Sequence, residues 1–314
     1  MDHETRSFLH DGHRLVYDVY GEGERLLVYM HGLLLDSELN RSIASALAER
    51  GNRVVLLDLL GHGRSDKPTH AAEYRIDSYA HQAIALLDEL GAPTAALGGM
   101  SLGANVSLFA ATQHPERVKA LVLEMPVLEW AVPSAAIAFV PILLAAHYGR
   151  RILGPITATL RRLPRTPFGA VNSFLNAGSL PPDVIAAVMH GVLVGPVAPT
   201  IDARTAIDAP TLVLAHANDL IHPFDDADNL IRQLPHATLV RARSPLELRL
   251  MPKRLTDSIA TFLDETWAKD HPTPARRPTG GAPAGGARTG VGRSRNGVQP
   301  SRNGAAARRQ PRAG

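Results

Sequence analysis

The chain of 314 residues contains no cysteine. The absence of thiols excludes a disulfide-stapled scaffold, a thiolate metal site and a cysteine nucleophile. The N-terminal segment also lacks an apolar stretch of the kind found in signal peptides, and charges of both signs stand among its first six residues. We therefore expect no signal peptide and a cytoplasmic protein.

Acidic residues and lysine are missing from residues 271–314, which contain nine arginines. The remaining residues, 1–270, hold 24 of the 33 basic side chains against all 30 acidic ones, so their net charge is −6, whereas the whole chain carries +3. The C-terminal segment also lacks aromatic residues, and its Gly, Pro, Ala and Arg composition predicts a disordered tail over 269–314. Without aromatic side chains for base stacking, we expect no specific nucleic-acid binding.

Short apolar runs recur along the chain and alternate with helix-like stretches. The runs are rich in Val and Leu and show little alternation, which is typical of strands buried on both faces of a parallel sheet. The runs are Leu26–Met30, Val54–Leu57, Ala95–Leu97, Leu121–Leu123, Leu212–Leu214 and Thr238–Val240, and the helical stretches are Leu39–Arg50, Ser78–Leu90, Gly103–His114 and Arg254–Trp267. A hairpin across Asp11-Gly12 precedes them. This order predicts an α/β fold with a mostly parallel sheet.

The alternation of strands and helices stops over residues 127–205. This segment contains several prolines and helical apolar patches but no clear strand pattern. Ligands of such folds bind at the carboxyl edge of the sheet, and an insertion at this point of the chain would lie above that edge. We therefore predict a helical cap over 127–205 and an α/β core formed by 1–126 and 206–268.

The cap begins with an apolar run, Ala131–Tyr148, that contains no formally charged residue. Its length is the lower limit for a membrane span, but Pro133 and Pro141 interrupt it. We interpret the run as an apolar lid that lines a pocket, with a weak contact to a membrane surface as a second expectation.

The sequence Gly99-Met100-Ser101-Leu102-Gly103 fits the pattern G-x-S-x-G between a predicted strand and a predicted helix. A sharp turn at this junction forces the serine backbone into a strained conformation, and the flanking glycines remove the steric conflict. Ser101 is therefore a candidate nucleophile, exposed at a helix N-terminus. The earlier strand that ends in His31-Gly32 suggests an oxyanion hole made by the N–H groups of Leu33 and Leu102.

These motifs resemble the α/β-hydrolase superfamily over residues of about 10–268, and among its members the small bacterial esterase-like and peroxidase-like proteins. The matching segments are His31-Gly32, Asp58 through Asp66, Gly99 to Gly103, Gln113 through Val118 and Thr211 through Pro223. The resemblance implies an eight-stranded sheet, a cap over the active site, no cofactor, no metal, and a Ser-acid-His triad in that chain order. Carried over to this sequence, it makes Ser101 the nucleophile and Asp219 the acid.

The resemblance also places a histidine after the last strand, but residues 237–270 contain none. Without a base, a serine hydroxyl is a weak nucleophile at neutral pH. We take His222 as the base, because it follows Asp219 by three residues on a loop that we expect to face the pocket. His216 and His31 are the alternatives.

Two functions of different classes follow from this sequence. The first is a cofactor-independent serine hydrolase of esterase type that acts on an apolar or acyl-bearing small molecule. The second is a catalytically silent protein of the same fold that binds a small apolar ligand or a partner. A variant of the hydrolase hypothesis, in which Glu124 near the sharp turn at Ser101 assists catalysis, has no mechanism to support it.

Overall fold

The computed structural model describes residues 3–217, 219 and 221–268. The tail that the composition predicts to be disordered, 269–314, lies outside these residues. Eight strands form one sheet: β1 Glu4–His10, β2 His13–Tyr20, β3 Arg25–Met30, β4 Asn52–Asp58, β5 Ala95–Met100, β6 Val118–Glu124, β7 Thr211–Ala215 and β8 Ala237–Arg241.

The strand order in the sheet is β1-β2-β4-β3-β5-β6-β7-β8. Strands β1 and β2 form an antiparallel hairpin, and β2 pairs antiparallel with β4, whereas all other pairs are parallel. The hairpin turn has positive φ angles at Asp11 and Gly12, as a two-residue turn of this kind requires. The predicted mostly parallel eight-stranded sheet is thus confirmed.

The helices, in chain order, are α1 Arg41–Ala48, α2 Ile76–Glu89, α3 Leu102–Gln113, α4 Val132–Tyr148, α5 Arg150–Arg161, α6 Gly169–Gly178, α7 Pro182–Val194, α8 Ile201–Thr205, α9 Phe224–Gln233, α10 Glu247–Leu250 and α11 Lys253–Ala268. Apolar residues of α2, α3 and α9 pack on one face of the sheet, and those of α1 and α11 pack on the other. The central strands are buried on both faces, which accounts for their continuous Val and Leu runs.

Between β6 and β7, within the residues that the structure describes, the chain forms helices α4 to α8 and no strand. Helix α7 packs against α4 and contributes Val184, Val188 and Val192 to the core beneath it. Helix α4 contains Pro141 in its interior and nevertheless continues to Tyr148. The segment therefore consists of helices that lie beside the core and share part of its apolar surface.

None of the helices in the described part of the chain is by itself both long and apolar enough to cross a bilayer. Two pairs meet the criterion of length and composition only when both helices are counted together, and each pair is sharply bent. The pairs are α4 with α5, bent by 100°, and α6 with α7, bent by 98°.

Candidate active site

Ser101 lies at the sharp turn between β5 and α3, which we call the elbow, with φ 52° and ψ −107°. A non-glycine residue with positive φ is uncommon and costs free energy, so the surrounding structure has to hold it in place. Its backbone N–H donates to the carbonyl oxygen of Glu124 at 2.8 Å, and its own carbonyl accepts from Asn105 N–H at 3.0 Å. These bonds tie the elbow to the end of β6 and to the first turn of α3.

The two glycines of the elbow are required because β3 passes close to it. A Cβ atom built on Gly99 or on Gly103 would lie 2.5 Å from the carbonyl oxygen of Met30. Both positions therefore exclude any larger residue unless the backbone moves, since the obstructing atom is itself backbone.

The structure brings Ser101, His222 and Asp219 together in one row of hydrogen bonds. The distance from His222 Nε2 to Ser101 Oγ is 2.9 Å, and the distance from His222 Nδ1 to Asp219 Oδ2 is also 2.9 Å. A carboxylate only accepts hydrogen bonds, so Nδ1 carries the proton and Nε2 of the neutral ring is the acceptor for the serine hydroxyl. This is the arrangement in which an imidazole removes a serine proton.

Asp219 is held by the loop that it shares with His222, between β7 and α9. Its Oδ1 atom accepts from the backbone N–H groups of Ile221 at 2.7 Å and His222 at 3.2 Å, which leaves Oδ2 for the imidazole. Burial by itself raises the pKa of this carboxyl, but the hydrogen bonds from His222 and Ile221 outweigh burial and lower it well below its usual range. Asp219 is therefore ionised at neutral pH and orients the ring.

The two alternative histidines do not contact Ser101. His216 directly follows β7 and is buried, with Nε2 at 3.2 Å from Asp219 Oδ2. His31 is fully buried; its Nε2 accepts from Leu59 N–H at 3.1 Å and its Nδ1 donates to the carbonyl of Gly32 at 2.8 Å. Both nitrogens of His31 are thus occupied, and the bond to Nε2 joins the end of β3 to the loop after β4.

Glu124 does not act on Ser101 through its side chain. One oxygen of its buried carboxylate accepts from the Tyr29 hydroxyl at 2.8 Å and the other pairs with Arg249 of α10. The element that follows β8, where the resemblance places a histidine, therefore contributes an arginine to a buried ion pair instead. The backbone carbonyl of Glu124 accepts from the N–H of Ser101.

A cavity of about 60 Å³ lies beside Ser101. Leu33 and Leu102, whose N–H groups are the candidate oxyanion donors, both line it, and no hydrogen bond within the described chain occupies either N–H. The remaining lining is mainly apolar and comes from the core and from cap helices α4 and α7: Ile76, Val127, Ala135, Phe139, Val192 and Val197. The cap therefore forms part of the site.

Asn105 is a site residue that the sequence patterns did not single out. It lies one turn after Ser101 in α3, where all residues from Leu102 to Ala111 are buried. Its side-chain amide donates to the carbonyls of Val127 and Val197, both at 2.6 Å, and accepts from Val127 N–H at 3.0 Å. It thereby joins both ends of the cap to helix α3. The available signal was an amide side chain in the mostly apolar stretch from 102 to 111.

Asp226 in the first turn of α9 is a second such residue. Its buried carboxylate accepts from the backbone N–H groups of Leu128 at 2.7 Å, Ala131 at 3.0 Å and Trp130 at 3.1 Å, directly before α4. In the sequence it is one of two consecutive aspartates, and nothing there distinguishes it from its exposed neighbour Asp225.

Among the described residues, no group of three or more His, Asp or Glu side chains has the arrangement of a metal site. The two histidines around Asp219 are each engaged with its carboxylate. Ser101, His222 and Asp219 thus bring a hydroxyl, an imidazole and a carboxylate together at this site.

The chain is similar to known proteins in sequence and in structure. A family model described as alpha/beta hydrolase fold matches residues 25–244. A putative non-heme haloperoxidase of Mycobacterium phage D29 is 36% identical over 124 residues, which are 39% of this chain and 43% of that protein. A putative carbamate hydrolase of Variovorax paradoxus strain S110 is 28% identical over 286 residues, with coverage of 78% of this chain and 96% of that protein.

Among solved structures, the enol-lactonase from Burkholderia xenovorans LB400 has a TM-score of 0.66 with this chain at 20% identity. The superposition covers 82% of this chain and all of that one, and at this identity it shows the fold alone. The chain spans less than half the length of the phage relative.

Proposed function

The chain belongs to the alpha/beta hydrolase fold family, and from this membership we propose that it is a cofactor-independent serine hydrolase that cleaves esters of apolar, acyl-bearing small molecules. The observation that carries the proposal is the row of hydrogen bonds from Asp219 through His222 to Ser101. The similarity to a putative carbamate hydrolase supports chemistry at an acyl carbon.

In the proposed reaction, His222 Nε2 removes the hydroxyl proton as Ser101 Oγ bonds to the ester carbonyl carbon. The negative charge that develops on the carbonyl oxygen is held by the N–H groups of Leu33 and Leu102. His222 then donates its proton to the leaving alcohol as the carbon–oxygen bond breaks. Water, deprotonated by the same imidazole, attacks the acyl enzyme and releases the carboxylic acid and free Ser101.

Asp219 supports this cycle without giving up its own charge. Its lowered pKa keeps the carboxylate ionised while His222 becomes an imidazolium, so the two form an ion pair during the reaction. Acid and base lie three residues apart in one loop, and the same backbone turn that fixes Asp219 therefore also fixes the position of the imidazole.

The lining of the cavity favours an uncharged acyl group as the part of the substrate that binds beside Ser101. Among the described residues that line it, Asn105 is the only one besides Ser101 whose side chain has a hydrogen-bonding group, and its amide is occupied by the cap carbonyls. A charged acyl group placed there would lose its hydration with no described side chain to replace the water.

Labelling with a fluorophosphonate probe tests the proposal, together with hydrolysis of short p-nitrophenyl esters. We expect the wild type to be labelled and to turn over the ester, and the Ser101→Ala variant to do neither. His222→Ala should lower kcat by about 10²–10⁴-fold, since it removes the general base. A matched control is His190→Ala, because His190 is an exposed histidine of α7 that does not line the cavity beside Ser101.

Two outcomes would contradict the proposal in different ways. Absence of labelling and of turnover in a folded wild type would favour the catalytically silent binding protein. Labelling of Ser101 with kinetics unchanged in His222→Ala would keep the serine and remove His222 as its base.

A further inference from the structure

The outer side of the cap carries an apolar surface that nothing in the described chain covers. None of the 17 residues of α4 is formally charged, and Ala146 is its one buried residue. Ile137 and Tyr148 of α4 are each 78% exposed, and Ile152 of α5 is 72% exposed. Five further apolar side chains of these helices are exposed: Val132, Val140, Ile142, Leu144 and Ile156. We call these eight side chains together the cap surface. So many exposed apolar side chains on two consecutive helices indicate an interaction site.

The charge of the same segment has one sign. Between positions 130 and 182 the only formally charged residues are five arginines, all exposed: Arg150, Arg151, Arg161, Arg162 and Arg165. Arg150 lies 3.9 Å from Asp183, and the other four form no ion pair with a carboxylate of the described residues. The segment that carries the cap surface is therefore cationic, although residues 1–270 together have a net charge of −6.

We propose that the cap surface docks on a bilayer that contains anionic phospholipids. Helices α4 and α5 meet at 100° and so define a plane, and their apolar side chains would enter the boundary between headgroups and acyl chains. The arginines would bind lipid phosphates, for which guanidinium groups are well suited. A second copy of the chain fits this surface less well, because a two-fold contact would bring its unpaired arginines against each other.

The inner side of α4 connects the cap surface to the candidate active site. Ala135 and Phe139 line the cavity beside Ser101, whereas Ile137 and Val140 of the same helix are exposed. Docking would place an apolar cavity next to a lipid phase, where acyl-bearing molecules concentrate. Binding to the bilayer is itself independent of the serine chemistry.

Trp130, two residues before α4, is a reporter for this docking. It is 65% exposed and one of two tryptophans, so a Trp267→Phe background isolates its fluorescence. We expect a blue shift on addition of phosphatidylcholine–phosphatidylglycerol vesicles, quenching by lipids brominated in their acyl chains, and much weaker binding to phosphatidylcholine alone. Co-sedimentation with the same vesicles measures the partition coefficient.

Paired variants of the full chain separate the cap surface from other sources of binding. Arg151→Gln with Arg162→Gln should lower the partition coefficient by about fivefold per arginine, and Ile137→Ser with Ile152→Ser should abolish acyl-chain quenching. Leu9→Ser is the matched control, because Leu9 is 76% exposed but lies on β1.

Three results would overturn the proposal. The first is no vesicle binding by the wild type, and the second is self-association of the wild type that the cap variants abolish. The third is equal binding by all variants, which would assign vesicle binding to the arginines of 271–314. Ser101→Ala should bind vesicles as the wild type does, and Ile137→Ser with Ile152→Ser should hydrolyse a short soluble ester normally. Failure of docking and failure of the proposed hydrolysis are thus distinguishable.

Discussion

Gly103 shows at the scale of a single residue how the elbow excludes a side chain. It follows the strained Ser101 by two positions and lies against Met30 at the end of β3, and its N–H donates to the carbonyl of His31 at 3.1 Å. The close approach of α3 to β3 is what positions the serine beside the candidate oxyanion donor Leu33. A methyl group at Gly103 would separate the two elements.

We predict that Gly103→Ala lowers the melting temperature and abolishes probe labelling of Ser101. The added Cβ would lie 2.5 Å from Met30 O and 2.9 Å from Met30 Cβ, and overpacking of this kind costs about 1–3 kcal/mol. Gly154→Ala in α5 is the matched control: its Cβ meets nothing within 4 Å, so better helix propensity should leave the protein equally or more stable. Both variants are compared by thermal unfolding and by probe labelling. If Gly103→Ala and Gly154→Ala gave the same melting temperature and the same labelling, this account would be wrong.

At the scale of elements, two buried side chains hold the cap to the core. Asn105 of α3 bonds to both ends of the cap, and Asp226 of α9 bonds to the segment that leads into α4. These segments have irregular backbone, whose N–H and C=O groups need partners outside regular structure when they are buried. The cap is therefore attached by polar contacts in addition to the apolar contacts of α7.

We predict that Asp226→Ala destabilises the protein by about 2–4 kcal/mol, because it leaves the N–H groups of Leu128, Trp130 and Ala131 without their acceptor. Limited proteolysis should cut this variant faster within 127–205. Asp225→Ala removes the neighbouring carboxylate, which is exposed, and should change the unfolding free energy little. Equal stability of the two variants would show that the three hydrogen bonds do not hold the cap.

At the scale of the whole molecule, one buried charge network joins the antiparallel edge of the sheet to its loops. Asp58, at the end of β4, accepts from Ser37 N–H at 2.8 Å and from Arg64 Nε at 2.8 Å, and Arg64 also donates to Asp18 of β2 at 2.8 Å. Burial alone raises the pKa of Asp58, but Arg64, His31 and the Ser37 N–H together lower it below its ordinary value. These contacts hold the turn formed by residues 58–66.

The lowered pKa predicts how stability depends on pH. A carboxyl whose folded pKa lies below its unfolded value of about 3.9 contributes stability above that value and loses it as the pH falls towards the folded pKa. The difference in melting temperature between wild type and Asp58→Asn should therefore be largest near neutral pH and shrink below about pH 4. Asp202→Asn, at an exposed aspartate, is the control variant and should keep a melting temperature close to that of the wild type. A difference that stays constant with pH would contradict the assignment.

Local sequence patterns predicted most of the strands and helices correctly, but one helix boundary depended on distant contacts. The runs of Val and Leu predicted the central strands because strands buried on both faces need apolar residues at every position. The helix predicted over 39–50 instead begins as a 3-10 turn, Ser37–Asn40, and becomes α-helical at Arg41. Contacts from Asp58 to Ser37 and from Ser173 to Asp36 hold that turn, and no local pattern records them.

The sequence by itself determined the order of strands and helices, the elbow at Ser101 and the absence of a histidine after the last strand, because these depend on residue type and local spacing. Tertiary structure alone decided which imidazole reaches the serine: His222 lies 121 positions away along the chain, and the parallel pairing of β5, β6 and β7 brings their carboxyl ends to one edge. It also decided that α4 covers the cavity with one side and leaves the other uncovered, since the burial of an apolar helix depends on its neighbours and not on its own composition.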